Sequence, residues 1–390
     1  PRRFHAEPAR AVPVTLALAR GRPGPPGKRP RGWAEERGMR KGAGTTMGRL
    51  EEKDLWISGR GGYHTYRIPS LIVSRQGTVL AFCEGRRHSR RDYGEIDLLL
   101  RRSFDYGCTW RETQVVVTEE TMTCGNPCPV VSSRDGTIWL PFCKNLAEGG
   151  QHLIMAGRAP RTVWVTKSAD DGGTWGEPEE ITGQVKLPHW TWYATGPGHG
   201  IELESGRLLI PCDHAVGQDY FSHVVYSDDH GATWRIGGAC DPGTDECQAL
   251  QTADGGLYLN CRNSRGAHRR LVAWSDDEGL SFAPAQWDEA LVEPGCQASV
   301  ARFGRAGTPD QHRVLFANPA STTRERLTVR LSYDECRTWP VSRVLHAGPS
   351  AYSDLAVASD MSICCLYERG AEHPYESLTL ARFDLEWLTS

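Results

Sequence analysis

The octad Ser-x-Asp-x-Gly-x-Thr-Trp, seen at residues 227–234, recurs along the chain and commits it to a repeat architecture. Copies stand at residues 103–110 and 168–175, with weaker ones at 275–282 and 332–339, where Cys336 takes the glycine position. An Asp carboxylate bonding the backbone two residues on, a glycine for the left-handed dihedral and an anchoring tryptophan together describe a tight hairpin turn. The period of roughly 50 to 65 residues suits propeller blades and exceeds helical solenoid units.

Each turn follows three strand-like runs. The middle runs are introduced by a glycine or a turn and fall at residues 77–83, 136–142, 206–211, 255–260, 312–317 and 361–367. First strands precede them at 68–73, 127–132, 200–203, 247–252, 297–303 and 353–358, and third strands follow at 96–102, 162–167, 222–226, 270–274, 327–331 and 377–383. Five third strands enter the Asp/Gly turn and then a weaker fourth, such as 111–117. The sixth lies at the chain end, so residues 54–58 must supply its missing partner. The expectation is an all-β, six-bladed β-propeller closed between its two ends.

Residues 1–50 hold 12 Lys/Arg against 3 Asp/Glu and are rich in Pro and Gly, which predicts a disordered basic tail ahead of a propeller at residues 51–390. The apolar run at 11–19 is short and contains Pro13, so it is a poor secretory core, and Met47 is an alternative natural start. The remaining 33 Lys/Arg against 45 Asp/Glu make the body acidic. General binding to nucleic acid or an anionic membrane is excluded for such a body, and any anion site must be built from placed arginines. No stretch reaches the length of a membrane-spanning helix. The 13 cysteines, many inside apolar runs, read as buried free thiols, which favours a cytoplasmic setting over a secreted or lysosomal one. Cys124 and Cys128 have no second nearby pair and read as structural, so no metal or cofactor is expected.

In an up-and-down blade, strand-one starts, strand-two ends and strand-three starts share one end, while the Asp/Gly turns lie at the other. The first group converges on the mouth of the central channel. It comprises Arg67, Asn126, Glu246, Gln297 and Tyr352, then Glu84, Arg86, Asp213, Arg262, Asn318 and Glu368, with Asp92 and Arg324 in two-to-three connections. Arg67, Arg262 and Arg324, from three blades, can surround one carboxylate or phosphate, although each alone also suits an ion pair with a rim acid. A carboxylate such as Glu246 within reach of Tyr352 can take the phenol proton. A tyrosine suits attack on an anomeric carbon that itself bears a carboxylate, because it approaches nearly neutral where a carboxylate nucleophile would be repelled. Asp92, in an arginine-rich loop, can reach a leaving group as general acid, with Glu95 and Asp97 as rivals, although spacing alone favours a solvated acid offsetting those arginines. The aromatic tract at residues 189–193 lies on the same side.

With Tyr66-Arg67-Ile68-Pro69, the five Asp boxes, Asp245-Glu246-Cys247-Gln248, Asn260-Cys261-Arg262-Asn263, Tyr352-Ser353-Asp354-Leu355 and Leu366-Tyr367-Glu368, the chain resembles the animal-type and bacterial exo-α-sialidases from about residue 63 to 388. The resemblance implies a retaining glycoside hydrolase that releases terminal sialic acids from oligosaccharides, glycoproteins or glycolipids without a cofactor. It implies Arg67, Arg262 and Arg324 on the sugar carboxylate, Tyr352 as nucleophile, Glu246 as its base and Asp92 as acid/base. It also implies Glu368 as the partner of Arg67, and Arg86 and Asn126 as contacts to the N-acetyl and ring-hydroxyl side. Arg326 competes with Arg324 for its place. The alternatives are a deaminated-sialic-acid hydrolase, a trans-sialidase, or a non-catalytic Asp-box propeller that binds a glycan or protein.

Overall fold

A computed structural model describes residues 48–304, 308, 310 and 312–390. Residues 1–47 of the expected tail lie outside the described residues, and Leu50, the last residue of that stretch, already begins β1 (Leu50–Ile57).

The chain is a six-bladed β-propeller, and the blades follow in order. Blade one is β2 (Thr65–Val73), β3 (Val79–Arg86), β4 (Ile96–Ser103) and β5 (Gln114–Val117). Blade two opens with a divided first strand, β6 (Met122–Gly125) and β7 (Val130–Val131), then β8 (Ile138–Leu146), β9 (Thr162–Ser168) and β10 (Glu179–Glu180). Blade three likewise has β11 (Tyr193–Thr195) and β12 (Ile201–Glu202), then β13 (Leu208–Val216), β14 (Asp219–Ser227) and β15 (Arg235–Ala239). Blade four is β16 (Thr244–Gln251), β17 (Leu257–Asn263), β18 (Arg269–Ser275) and β19 (Gln286–Val292). Blade five is β20 (Ser299–Arg302), β21 (Val314–Pro319), β22 (Glu325–Ser332) and the first half of β23 (Val341–Val357). The second half of β23 opens blade six, completed by β24 (Ile363–Arg369), β25 (Ser377–Phe383) and β1.

Residues 54–58, expected to complete the last blade, fall on and just past β1, which pairs antiparallel with β25. The last blade thereby takes its outer strand from the other end of the domain. Its apolar core is the space between neighbouring blades: Leu80, Phe82 and Leu98 of blade one pack with Ile138, Leu140 and Phe142 of blade two. Leu315 and Leu327 of blade five meet Leu355, Ile363 and Phe383 of blade six in the same way. All thirteen cysteines are free and only Cys108 is exposed. Among the described residues no helix is long and apolar enough to cross a membrane.

Two sequence expectations need correction. The second strands of the blades run two to five residues further toward the channel mouth than their apolar pattern suggests, so β3 and β17 include Arg86 and Arg262. Those charges are met by carboxylates of their own blades, Glu84 and Asp92 for Arg86 and Asp245 and Glu246 for Arg262, and therefore do not end the strand. In the Asp boxes the carboxylate reaches four residues on, not two: Asp229 accepts from the Thr233 amide at 2.8 Å and its hydroxyl at 2.6 Å, while Ser227 Oγ donates to Asp229 and accepts from the Gly231 amide. The same pattern recurs in all five boxes, including the last, where Cys336 adopts φ 66 in place of glycine.

Because the boxes join third to fourth strands, they lie at the end of the blades remote from the mouth. Asp229→Ala is therefore expected to lower stability by about 1–2 kcal/mol through its lost turn bonds and leave kcat and KM unchanged. Urea unfolding beside steady-state kinetics reads both, and altered kinetics would contradict the separation of scaffold from site.

Candidate active site

Register brings the mouth together. Thr65 pairs with Arg86 and Arg86 with Ile96 in blade one, and Ser350 pairs with Arg369 and Arg369 with Ser377 in blade six. A cavity of about 550 Å³ opens there, and Arg67, Arg86, Asp92, Glu246, Arg262, Arg324 and Tyr352 all line it.

The hydroxyl of Tyr352 donates to Glu246 Oε1 at 2.5 Å. Arg262 Nη1 stands 2.9 Å from Glu246 Oε2 and 3.2 Å from Tyr352 Oη. The guanidinium of Arg67 lies 5.0 Å, and that of Arg324 5.4 Å, from the centre of the Tyr352 ring. Three cations from three blades thus surround one phenol. Burial and the Glu246 charge push the Tyr352 phenol well above its ordinary range, outweighing Arg262 and Arg324. The phenol is held as a proton donor with its acceptor already in contact.

Arg67 is aimed by a bulge in β2 between Arg67 and Ser70, where Ile68 takes φ 57, a strained value for a β-branched residue. Glu368, fully buried, holds this bend. It accepts from Arg67 Nε at 3.0 Å and Nη2 at 3.3 Å, from the Ile68 amide at 3.0 Å and from the Tyr352 amide at 3.1 Å.

Asp92 receives Arg67 Nη1 at 2.9 Å and Arg86 Nη1 at 2.8 Å, yet its side chain is 62% exposed. Burial would raise its carboxyl, but Arg86 and Arg67 outweigh it and hold the group below the usual carboxylate range. Its rivals are engaged elsewhere: Asp97 is buried under Tyr63 and Arg87, and Glu95 pairs with His88. Arg324 reaches the cavity and donates to Tyr375 Oη at 2.8 Å, while Arg326 is exposed outside it.

Glu84 organises the other wall, bonding Arg86 at 2.7 Å and the Asn126 amide at 2.9 Å. Arg161, which the sequence reading missed, donates to Asn126 Oδ1 and Asn145 Oδ1 at 2.5 Å and stacks on Trp192 at 4.1 Å. Tyr375 was also missed; its ring lies 4.2 Å from the Arg67 guanidinium. Both residues occupy two-to-three connections or third-strand starts, so the rim rule that found Asp92 applies to them too. From the aromatic tract Trp192 enters the cavity, while Trp190 is packed on His214 at 3.6 Å.

Four expected rim residues do not line the cavity; one is Glu368, fully buried against Arg67. Gln297 donates to the carbonyls of Pro197 and Ser353 inside the channel, and Asn318 is fixed by Arg330. Asp213 is fully buried, and neither carboxylate oxygen has a hydrogen-bond partner. Burial, with the Asp245 and Glu246 charges, pushes it well above the usual carboxylate range, and burial also raises Asp245 to about 6 despite Arg262.

A raised acid has a definite sign in folding. Below the unfolded value near 4 the carboxyl is neutral in both states and costs nothing; as pH rises the unfolded chain ionises while the folded carboxyl stays protonated, so stability falls. Asp213→Asn cannot titrate. Its melting temperature should therefore gain on that of the wild type between about pH 4 and pH 7, each unit of upward shift being worth about 1.4 kcal/mol. A pH-independent difference would contradict this.

Among the described residues no group of three His, Cys, Asp or Glu side chains is placed to hold a metal ion. A family model described as a BNR repeat-like domain matches residues 77–365. The sialidase of Micromonospora viridifaciens is 36% identical over 359 residues, covering 86% of this chain, which spans only 54% of that protein. The exo-alpha-sialidase of Aspergillus fumigatus is 33% identical, covering 84% of this chain and 86% of its own length. Human Sialidase-3 is 31% identical, covering 82% and 89%. Among solved structures, a Hadza microbial sialidase superposes with a TM-score of 0.76 at 28% identity over 85% of this chain and 68% of its own.

Proposed function

The chain belongs to the sialidase family of glycoside hydrolases, and from that premise we propose that it is an exo-α-sialidase acting with retention through a tyrosine nucleophile. The observation that carries the reading is the 2.5 Å contact between Tyr352 Oη and Glu246 at the meeting point of Arg67, Arg262 and Arg324.

A sialoside carboxylate enters between the three guanidinium groups and competes with Asp92 for Arg67. Asp92 then keeps only Arg86, and its proton affinity rises when an acid is needed. Tyr352 Oη attacks the anomeric carbon as its proton passes to Glu246, the glycosidic bond breaks, and Asp92 protonates the departing oxygen. Water, deprotonated by Asp92, then attacks the sialyl–tyrosine adduct and returns the phenolate, which recovers its proton from Glu246. Two inversions give net retention. The substrates are sialylated oligosaccharides, glycoproteins or glycolipids.

Release of fluorophore from a 4-methylumbelliferyl sialoside, blocked by an unsaturated sialic acid analogue, tests the activity. NMR of the first-formed product should show the α-anomer. No release from folded protein across acidic to neutral pH would reject the reading, and a β-anomer would reject its retaining chemistry.

A further inference from the structure

Tyr375 separates the catalytic cavity from a second one of about 470 Å³, walled by Ser58, His64, Ser89, Arg90, Arg91 and His373. The loop from Arg86 to Asp92 connects the two. Its arginines divide cleanly: Arg86 is bound to Glu84 and Asp92, and Arg87 to Asp97. Arg90 and Arg91 are both exposed, and among the described residues neither has a carboxylate partner; the Arg91 guanidinium donates to the Tyr93 hydroxyl at 3.3 Å. Among the described residues no acidic side chain lines this cavity. Neighbouring Glu376 is committed to the amides of Ala371, Glu372 and His373. On a body with excess negative charge, two exposed arginines beside one hollow, neither with a carboxylate partner among the described residues, stand out.

The position matters as much as the charge. A general acid must come within hydrogen-bond reach of the leaving oxygen, so the sugar that departs lies against the Asp92 loop, and Arg91 directly precedes Asp92. We propose that the second cavity is a leaving-group subsite for an anionic substituent: the carboxylate of a penultimate sialic acid, or a sulfate ester on a penultimate hexose. This rests on the exo-sialidase reading and adds to it a preference among natural glycans. Exposed guanidinium groups can make charge-assisted bonds to either anion, at a strength that salt screens.

The test compares the wild type with the double variant Arg90→Gln/Arg91→Gln, which is first checked by thermal melting. The substrates are α2,8-disialyllactose, 3′-sialyllactose, its 6-sulfated counterpart and 4-methylumbelliferyl sialoside. Wild-type kcat/KM at low salt should favour at least one anionic glycan over 3′-sialyllactose by roughly three- to tenfold, the yield of two or three exposed ion pairs. The substrate that shows the preference identifies the anion. That preference should vanish in the double variant and in about 0.5 M salt, where screening is short-ranged, while fluorophore release is unchanged. Equal losses on all four substrates, or a preference that survives the double variant, would overturn the subsite. Absence of fluorophore release by the wild type would instead overturn the activity on which it rests.

Discussion

Tyr352→Phe should lower kcat on a fluorogenic sialoside on the order of 10³-fold or more while leaving the affinity for an unsaturated sialic acid analogue within a few-fold. The substitution removes one oxygen and little else. The ring keeps its contacts with Arg67 and Arg324, and its backbone amide still donates to Glu368. Arg262 remains paired with Glu246 at 2.9 Å, so the carboxylate cradle survives. The bond lost is the 2.5 Å contact to Glu246, the proposed path of the phenol proton. A collapse in turnover with binding retained is what removal of a nucleophile predicts, whereas a parallel loss of binding would indicate a role in holding the sugar. Wild-type turnover would reject Tyr352 as nucleophile. Mass spectrometry with a slow fluorinated sialoside adds an independent reading, since an adduct should form on Tyr352 of the wild type and not on the variant.

The fold was legible because one hairpin turn is written five times, and because the sixth blade, lacking a turn of its own, forced the search for a strand at the other end of the domain. That strand is β1. The limits were physical. Strand ends such as Arg86 look like the onset of loops to a pattern based on apolar alternation, which does not weigh a carboxylate two residues away on the same face, Glu84, or one returned by the following connection, Asp92. The first strands of blades two and three were read only as 127–132 and 200–203; β6 and β11, the pieces on the other side of Asn126 and of the glycines at 196 and 198, which take positive φ, escaped the pattern. At the site, the rim rule places a residue at the correct end of a blade but does not say whether its side chain points into the cavity or beneath it. Glu246 and Tyr352 face the cavity, whereas Asp213 at an equivalent position is sealed below it. Tyr375 and Arg161 were hidden because an isolated Tyr or Arg in a connection carries no pattern, although topology assigns both to the mouth.

Glu368→Ala should be the most damaging single change to stability at the site. Glu368 lies on β24, far in sequence from Arg67, and one fully buried carboxylate serves four donors on two blades. Removing it leaves the 5%-exposed Arg67 without its buried counter-ion and orphans the amides of Ile68 and Tyr352. Breaking a buried pair on one side costs about 3–5 kcal/mol, and unmet amides add to this. For a domain of this size the melting temperature should fall by roughly ten degrees. The bend at Ile68, φ 57, loses the acceptor that holds it, so Arg67 should also lose its aim. In protein that remains folded at lower temperature, KM should rise along with the fall in kcat, because the carboxylate cradle and the position of Tyr352 are disturbed together. Glu368→Gln keeps one oxygen acceptor and the shape, and should fall between the two in both melting and KM. Wild-type melting in both variants would mean that water replaces the four contacts without loss, which contradicts a clamp. A large fall in melting with unchanged kinetics at low temperature would show that Glu368 supports the blades but does not position Arg67.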